Sequence, residues 1–232
     1  MKTIIEVIPA ILPASYEELD AALLQMEHVA PLVQVDVIDG VYVQNKTWPY
    51  TDRVLFIEML SEEKKHLPPR EGFGFEFDLM VKTPLDAVHA FIHQGATRLV
   101  LHSDSDALLE TLNELQPLCK KKPELQVGIA LPSNAVSSDL RRFTGKYSYV
   151  QVMGIEHVGY QGQVFDPNVL SLITELRQEF PTLSIQVDGG VSKETLPRLI
   201  AAGATRLVVG SAIFKSTDPA AAYKELYALA NQ

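Results

Sequence analysis

The chain has 232 residues, 47% hydrophobic and 21% charged, enough to bury a sizeable core as a single domain spanning 1–232. Its 13 glycines and 14 prolines are spread along it, which excludes collagen-like and low-complexity architectures. Acidic groups outnumber basic ones by 29 to 20, a formal charge of −9, so non-specific binding to nucleic acid or to an anionic membrane is disfavoured, while a local phosphate site built from backbone N–H groups is not.

From the N-terminus, residues 4–12 form an apolar run that Glu6 and Pro9 interrupt and only Lys2 precedes, which reads as a buried first strand rather than a signal segment. Further short apolar runs fall near 32–38, 75–81, 98–102, 125–131, 147–153, 183–188 and 206–210. Helical periodicity occupies 16–26, 84–93, 107–118, 168–180, 193–202 and 219–230 between and after them. Such alternation demands a parallel sheet covered by helices. Eight units in this length sit close to the ~250 residues typical of a closed (βα)8 TIM barrel; an open doubly wound sheet is the alternative. No apolar run reaches the roughly 18 residues needed to span a bilayer. Cys119 is the single cysteine and cannot form an internal disulfide, and no Cys/His cluster has zinc-site spacing, so a reducing cytoplasm is the expected compartment.

Side-chain parity favours closure. Along the second run Val33, Val35 and Val37 share one face and Gln34 and Asp36 the other, since successive strand residues point oppositely. Ile185 and Val187 oppose Gln186 and Asp188 in the same way, Phe75, Phe77 and Leu79 oppose Glu76, Asp78 and Met80, and Leu99 and Leu101 oppose Arg98, Val100 and His102. One apolar and one polar face per strand suits a barrel with a chemical interior; an open sheet covered on both sides wants apolar residues on both. Gly95-Ala96-Thr97-Arg98-Leu99-Val100 also recurs as Gly203-Ala204-Thr205-Arg206-Leu207-Val208, read as a repeated signal that ends a helix and starts a strand.

In a barrel of this kind the active site lies where the strands end, which draws attention to Asp36, Asp78, His102 and Asp188. Val187-Asp188-Gly189-Gly190-Val191 brings two glycines that let backbone approach an anion, with Ser192 as a candidate helix N-cap. Gly210 and Ser211 follow the last strand, and the loops after strands seven and eight form the recurrent phosphate site of the fold. A third loop, Gly159-Tyr160-Gln161-Gly162-Gln163, closes over the same phosphate or acts as a lid. Asp36 and Asp188 are the candidate acid/base pair: one carboxylate deprotonates a carbon next to a carbonyl, and another returns the proton from the opposite face.

Pro9-Ala10-Ile11-Leu12, Val35-Asp36-Val37-Ile38-Asp39-Gly40 with Asn45 beyond, Asp78-Leu79-Met80-Val81 before Pro84, Val187 to Val191 and Gly210 to Phe214 together resemble the ribulose-phosphate 3-epimerase family, in order and nearly end to end. The resemblance implies a (βα)8 barrel that interconverts C3 epimers of a ketopentose 5-phosphate through an enediolate, with Asp36 and Asp188 matching the family's two acid/base aspartates. It also implies a divalent metal held by two His and two Asp, and here the pattern breaks. Gln34 and Asp78 stand where the family has its histidines, Ala10 replaces a serine and Ile38 a methionine, while Met80 and Met153 match family methionines near the site. The remaining set of Gln34, Asp36, Asp78 and Asp188 is all oxygen, so either a hard cation such as Mg²⁺ or Mn²⁺ binds in preference to Zn²⁺, or the site has no metal. His102 and His157 are substitute ligands or proton carriers at most. Gly162 and Gln163 match the end of the family's glycine-rich loop, although Ile155-Glu156-His157-Val158 replaces its lead and Gln161 one of its glycines.

The expected partner is a phosphorylated ketose, with neither nucleic acid nor membrane, and the expected assembly a homo-oligomer. Two alternatives stay open: a non-catalytic sugar-phosphate binder, and a lyase of the same barrel group. A Schiff-base aldolase needs a lysine in the barrel mouth, for which only Lys82 is placed, and the Asp-x-Lys-x-x-Asp of related decarboxylases is absent at Asp36-Val37-Ile38-Asp39.

Overall fold

A computed structural model describes residues 4–60, 67, 72 and 74–232, the side chains of residues 53, 57, 59 and 60 excepted. Eight parallel strands, β1 (Glu6–Ile11), β2 (Leu32–Ile38), β3 (Gly74–Met80), β4 (Arg98–His102), β5 (Gln126–Leu131), β6 (Tyr149–Met153), β7 (Ser184–Asp188) and β8 (Arg206–Val209), close in sequence order, with β8 paired to β1. The open sheet is thereby excluded. Outside them lie α1 (Tyr16–Met26), α2 (Arg53–Leu60), α3 (Leu85–Gln94), α4 (Leu108–Lys121), α5 (Val169–Glu179), α6 (Leu196–Ala202), α7 (Ser211–Phe214) and α8 (Pro219–Ala230), with a 3₁₀ helix at Ser137–Phe143 between β5 and β6. No described helix is long and apolar enough to cross a membrane.

The parity of the strands decides which residues make the core. Val33, Val35, Val37, Phe77, Leu79, Leu99, Leu101, Ile185 and Val187 are buried in one large cluster between barrel and helices, each worth roughly 1.5–3 kcal/mol of burial. Val100, Ala130, Tyr149 and Met153, together with Ile8, Ala10 and Val208, form separate apolar clusters. Gln34, Glu76, Asp78, Gln151 and Gln186 lie at the opposite parity and are buried as well.

The repeated hexapeptide builds the same local structure twice. Gly95 and Gly203 end α3 and α6 in left-handed conformations, at φ +101° and +119°. Thr97 N–H then donates to Phe75 O at 2.9 Å, and Thr205 N–H to Ile185 O at 2.8 Å, which starts the next strand beside its predecessor. The arginines that follow converge on one carboxylate, Arg98 Nη1 at 2.8 Å and Arg206 Nε at 3.6 Å from Glu6 Oε2. Arg206 also lies 4.7 Å from the Tyr149 ring centroid.

Besides the four-residue α7 and the last turn of α4, three helices differ from the periodicity read in the sequence. Arg-Val-Leu-Phe-Ile-Glu-Met-Leu of α2 is apolar at nearly every position and so displays no stripe of period 3.6. The 3₁₀ segment buries only Leu140 and Phe143, too few to set a period. The third, α6, begins at Leu196 instead of residue 193, because Ser192 Oγ accepts from the N–H groups of Glu194 and Thr195 and holds a turn ahead of the helix.

Candidate active site

The polar interior residues of β2, β3, β4 and β7 meet at the ends of those strands. Register places Asp36 opposite Asp78 on adjacent strands. Gln34 Nε2 donates to Asp36 Oδ1 at 2.9 Å and to Asp188 Oδ2 at 2.8 Å, so one amide bridges carboxylates that are 152 residues apart in the chain. Asp78 accepts at Oδ2 from Gln151 Nε2 at 2.8 Å and pairs at Oδ1 with His102 Nε2 at 2.9 Å. One oxygen from each of Asp36, Asp78 and Asp188 lies within 4.8 Å of the others.

Crowding sets the protonation of this cluster. Burial, followed by the charges of Asp188 and Asp78, pushes the Asp36 carboxyl well above the usual carboxylate range. Burial and the Asp78 charge push Asp188 up to about 8. His102 is subject to the opposite balance: burial disfavours its imidazolium, yet the Asp78 carboxylate outweighs that and raises its pKa. The ring of Tyr42 packs 5.1 Å from that of His102, and its hydroxyl donates to Asp104 at 2.6 Å, so the loop after β2 leans over the imidazole.

Asp36 and Asp188 line one pocket with Gly162, Gly189, Gly190, Gly210 and Ser211. Gly190 has φ +68°, and a Cβ there would stand 2.9 Å from the Phe165 backbone, so the close turn requires glycine. Gln161 folds in beside them, its Nε2 donating to Ala10 O at 3.3 Å. Asn45 Nδ2 holds the loop at Gly159 O, 2.8 Å away.

Other residues singled out in the sequence lie elsewhere. Lys82 does not line this pocket; its ammonium pairs with Asp106 at 3.0 Å. Glu156 and His157 are exposed. What sequence reasoning missed is the layer beneath the aspartates. Gln186 Nε2 donates to Glu76 Oε1 at 2.6 Å and to Gln151 Oε1 at 2.7 Å, and Tyr149 hydroxyl to Glu76 Oε2 at 2.8 Å. The signal available for it was parity: Gln151 and Tyr149 occupy alternate positions of β6, as Gln186 and Asp188 do of β7.

A divalent ion, as the family resemblance implies, needs lone pairs converging on one point. Three aspartates could supply them, but Gln34 turns its N–H₂ toward two of the three, and both Asp78 oxygens are already engaged. Amide hydrogens do not ligate a cation, so the donor set as arranged does not fit the ion.

Residues 6–214 match the sequence model of the family described as ribulose-phosphate 3 epimerase. Ribulose-phosphate 3-epimerase of Treponema pallidum is 31% identical over 214 residues, covering 90% of this chain and 91% of that protein. The Bacillus subtilis enzyme of the same name is 29% identical, covering 96% and 98%. Among solved structures, 3-hexulose-6-phosphate synthase from Salmonella typhimurium superposes with TM-score 0.65 at 17% identity over 97% of this chain and 98% of its own. KGPDC from Streptococcus mutans gives TM-score 0.64 at 12% identity over 97% and 98%. These two share the fold.

Proposed function

Because the chain belongs to the ribulose-phosphate 3-epimerase family, we propose that it inverts the carbon next to the ketone of a phosphorylated ketose, with Asp36 and Asp188 as the acid/base pair. The observation that carries this reading is the Gln34 bridge, which holds both carboxyls at one pocket beside the glycine turns. Two carboxyls so close, both shifted upward, do not both ionise near neutral pH. When one of the pair gives up its proton it becomes the base that removes the C3 proton, and the other, still protonated, is the acid that returns one on the opposite face, with the roles exchanged in the reverse direction.

Backbone N–H groups at Gly162, Gly189, Gly190, Gly210 and Ser211 take the phosphate in this reading. No step runs through a metal; if an ion were held, three carboxylates without an imidazole would select Mg²⁺ or Mn²⁺ over Zn²⁺. A homo-oligomer in a reducing cytoplasm completes the proposal, in keeping with the lone Cys119.

Incubation with ribulose 5-phosphate in deuterated water tests it. Deuterium is expected at C3, together with the epimeric xylulose 5-phosphate. Absence of exchange with every ketose phosphate tried, with and without Mg²⁺ or Mn²⁺, overturns the assignment.

A further inference from the structure

The Gln34 amide has its orientation fixed from below. Its Oε1 accepts from Gln186 Nε2 at 3.3 Å while its Nε2 faces Asp36 and Asp188. Gln186 cannot turn over, because its nitrogen is also given to Glu76 Oε1 and to Gln151 Oε1. Gln151 in turn has its nitrogen committed to Asp78 Oδ2. Reversing any of these amides sets acceptor against acceptor or donor against donor in a buried site, at about 1–3 kcal/mol for each group left unsatisfied.

One atom records the direction of this chain of constraints. Gln186 Oε1 is buried without a hydrogen-bond partner among the described residues, while the two hydrogens of its nitrogen serve Glu76 Oε1 and Gln151 Oε1 at 2.6 and 2.7 Å and share a longer contact with Gln34 Oε1 at 3.3 Å. The layer is arranged to deliver N–H₂ upward.

An ion shared by Asp36 Oδ1 and Asp188 Oδ2 would stand about 2.0–2.6 Å from each oxygen. The Gln34 nitrogen already fills that approach at 2.9 and 2.8 Å. We propose that Gln34, oriented by Gln186, is a hydrogen-bond clamp that holds Asp36 and Asp188 together in place of a cation, so that this chain keeps the acid/base pair of its family without the metal. The inference rests on the epimerase reading for the use of the pair, but not for the exclusion of the ion. Gln34 is a positioning residue here: it acts through the two carboxyls.

Manganese titration followed by electron paramagnetic resonance separates the two. The full chain is expected to show no saturable uptake of Mn²⁺ up to about 1 mM, the weak end of protein affinities for hard divalent ions. Gln34→Met keeps the length and removes the N–H₂, and Gln34→Glu keeps the shape and supplies lone pairs. Both are expected to bind Mn²⁺ at least about tenfold more tightly than the parent, a factor corresponding to about 1.4 kcal/mol. Circular dichroism establishes which variants are folded, and one folded variant suffices for the comparison. Uptake of one Mn²⁺ per chain by the parent at micromolar concentration, lost in Asp36→Asn, overturns the proposal. So does a folded variant that binds no more tightly than the parent, since the amide is then not what excludes the ion. Deuterium exchange by the parent is a separate readout: exchange with Mn²⁺ that is lost in excess EDTA overturns the metal-free clamp, whereas no exchange under either condition with any substrate counts against the epimerase reading and leaves the manganese-binding result standing.

Discussion

Asp188→Asn is expected to stabilise the fold while it disables the chemistry, and the two effects have different pH dependences. In the unfolded chain this carboxyl ionises near its ordinary 3.8, whereas in the fold burial and the Asp78 charge hold the proton to about pH 8. A raised folded-state pKa means that stability is fully present below about pH 4, falls as pH rises, and has reached its lower level above about pH 8. Four pKa units correspond to about 6 kcal/mol at most. The residue is only partly buried at the pocket, so solvent screening leaves about 2–3 kcal/mol. Asparagine removes the ionisation and retains an oxygen for the Gln34 amide. At about 2–4 °C per kcal/mol for a chain of this size, the variant should melt about 5–10 °C above the parent at pH 8 and within about 2 °C of it at pH 4. Deuterium exchange at C3 should meanwhile fall by about 10²–10⁴, the usual worth of a general acid or base. Calorimetric melts between pH 4 and 8, in EDTA, with exchange rates on the same samples, provide the check. A variant that melts below the parent at pH 8, or a gain that grows toward acid, refutes the reasoning.

Arg206→Ala removes a guanidinium that sits between Glu6, Gln126 and the Tyr149 ring, and the loss of a buried cation and its contacts should cost about 3 kcal/mol, read as a fall in melting temperature of about 6–12 °C. Gly190→Ala forces a Cβ against Phe165 at a positive φ; a stability loss of about 1–3 kcal/mol and weaker inorganic phosphate binding by calorimetry are expected, and unchanged phosphate affinity in the folded variant removes that turn from the phosphate site. His102→Gln deletes the positive charge that lowers the Asp188 pKa, so the transition in the exchange rate near pH 8 should move upward; a downward move contradicts its assignment to Asp188.

The barrel was legible because its strands alternate. Val33, Val35 and Val37 on one side and Gln34 and Asp36 on the other force a choice of which face meets the helices, and the same choice on β3, β4 and β7 leaves a ring with a polar interior. Helix α2 was not legible, since a segment apolar all round has no face to declare. At the site, the sequence placed Asp36, Asp78 and Asp188 at strand ends, and the fold brings them within 4.8 Å. Hydrogen-bond direction was beyond its reach. Gln34 read as an oxygen donor like its neighbours, and only the partners of Gln186 and Gln151 determine that it turns its nitrogen outward.

Charge is distributed unevenly along the barrel axis, and the imbalance falls where it is useful. Near the start of the strands, Glu6 meets Arg98 and Arg206, and both arginines also act on Glu76, so two cations face two carboxylates. At the strand ends three aspartates face one histidine. A buried excess of negative charge is relieved by a cation or by retained protons. With Gln34 holding N–H groups between Asp36 and Asp188, the second route is the one this interior is built for. Once one of the pair ionises while the other keeps its proton, an acid and a base stand at one pocket at the same pH, the condition that inversion through an enediolate requires.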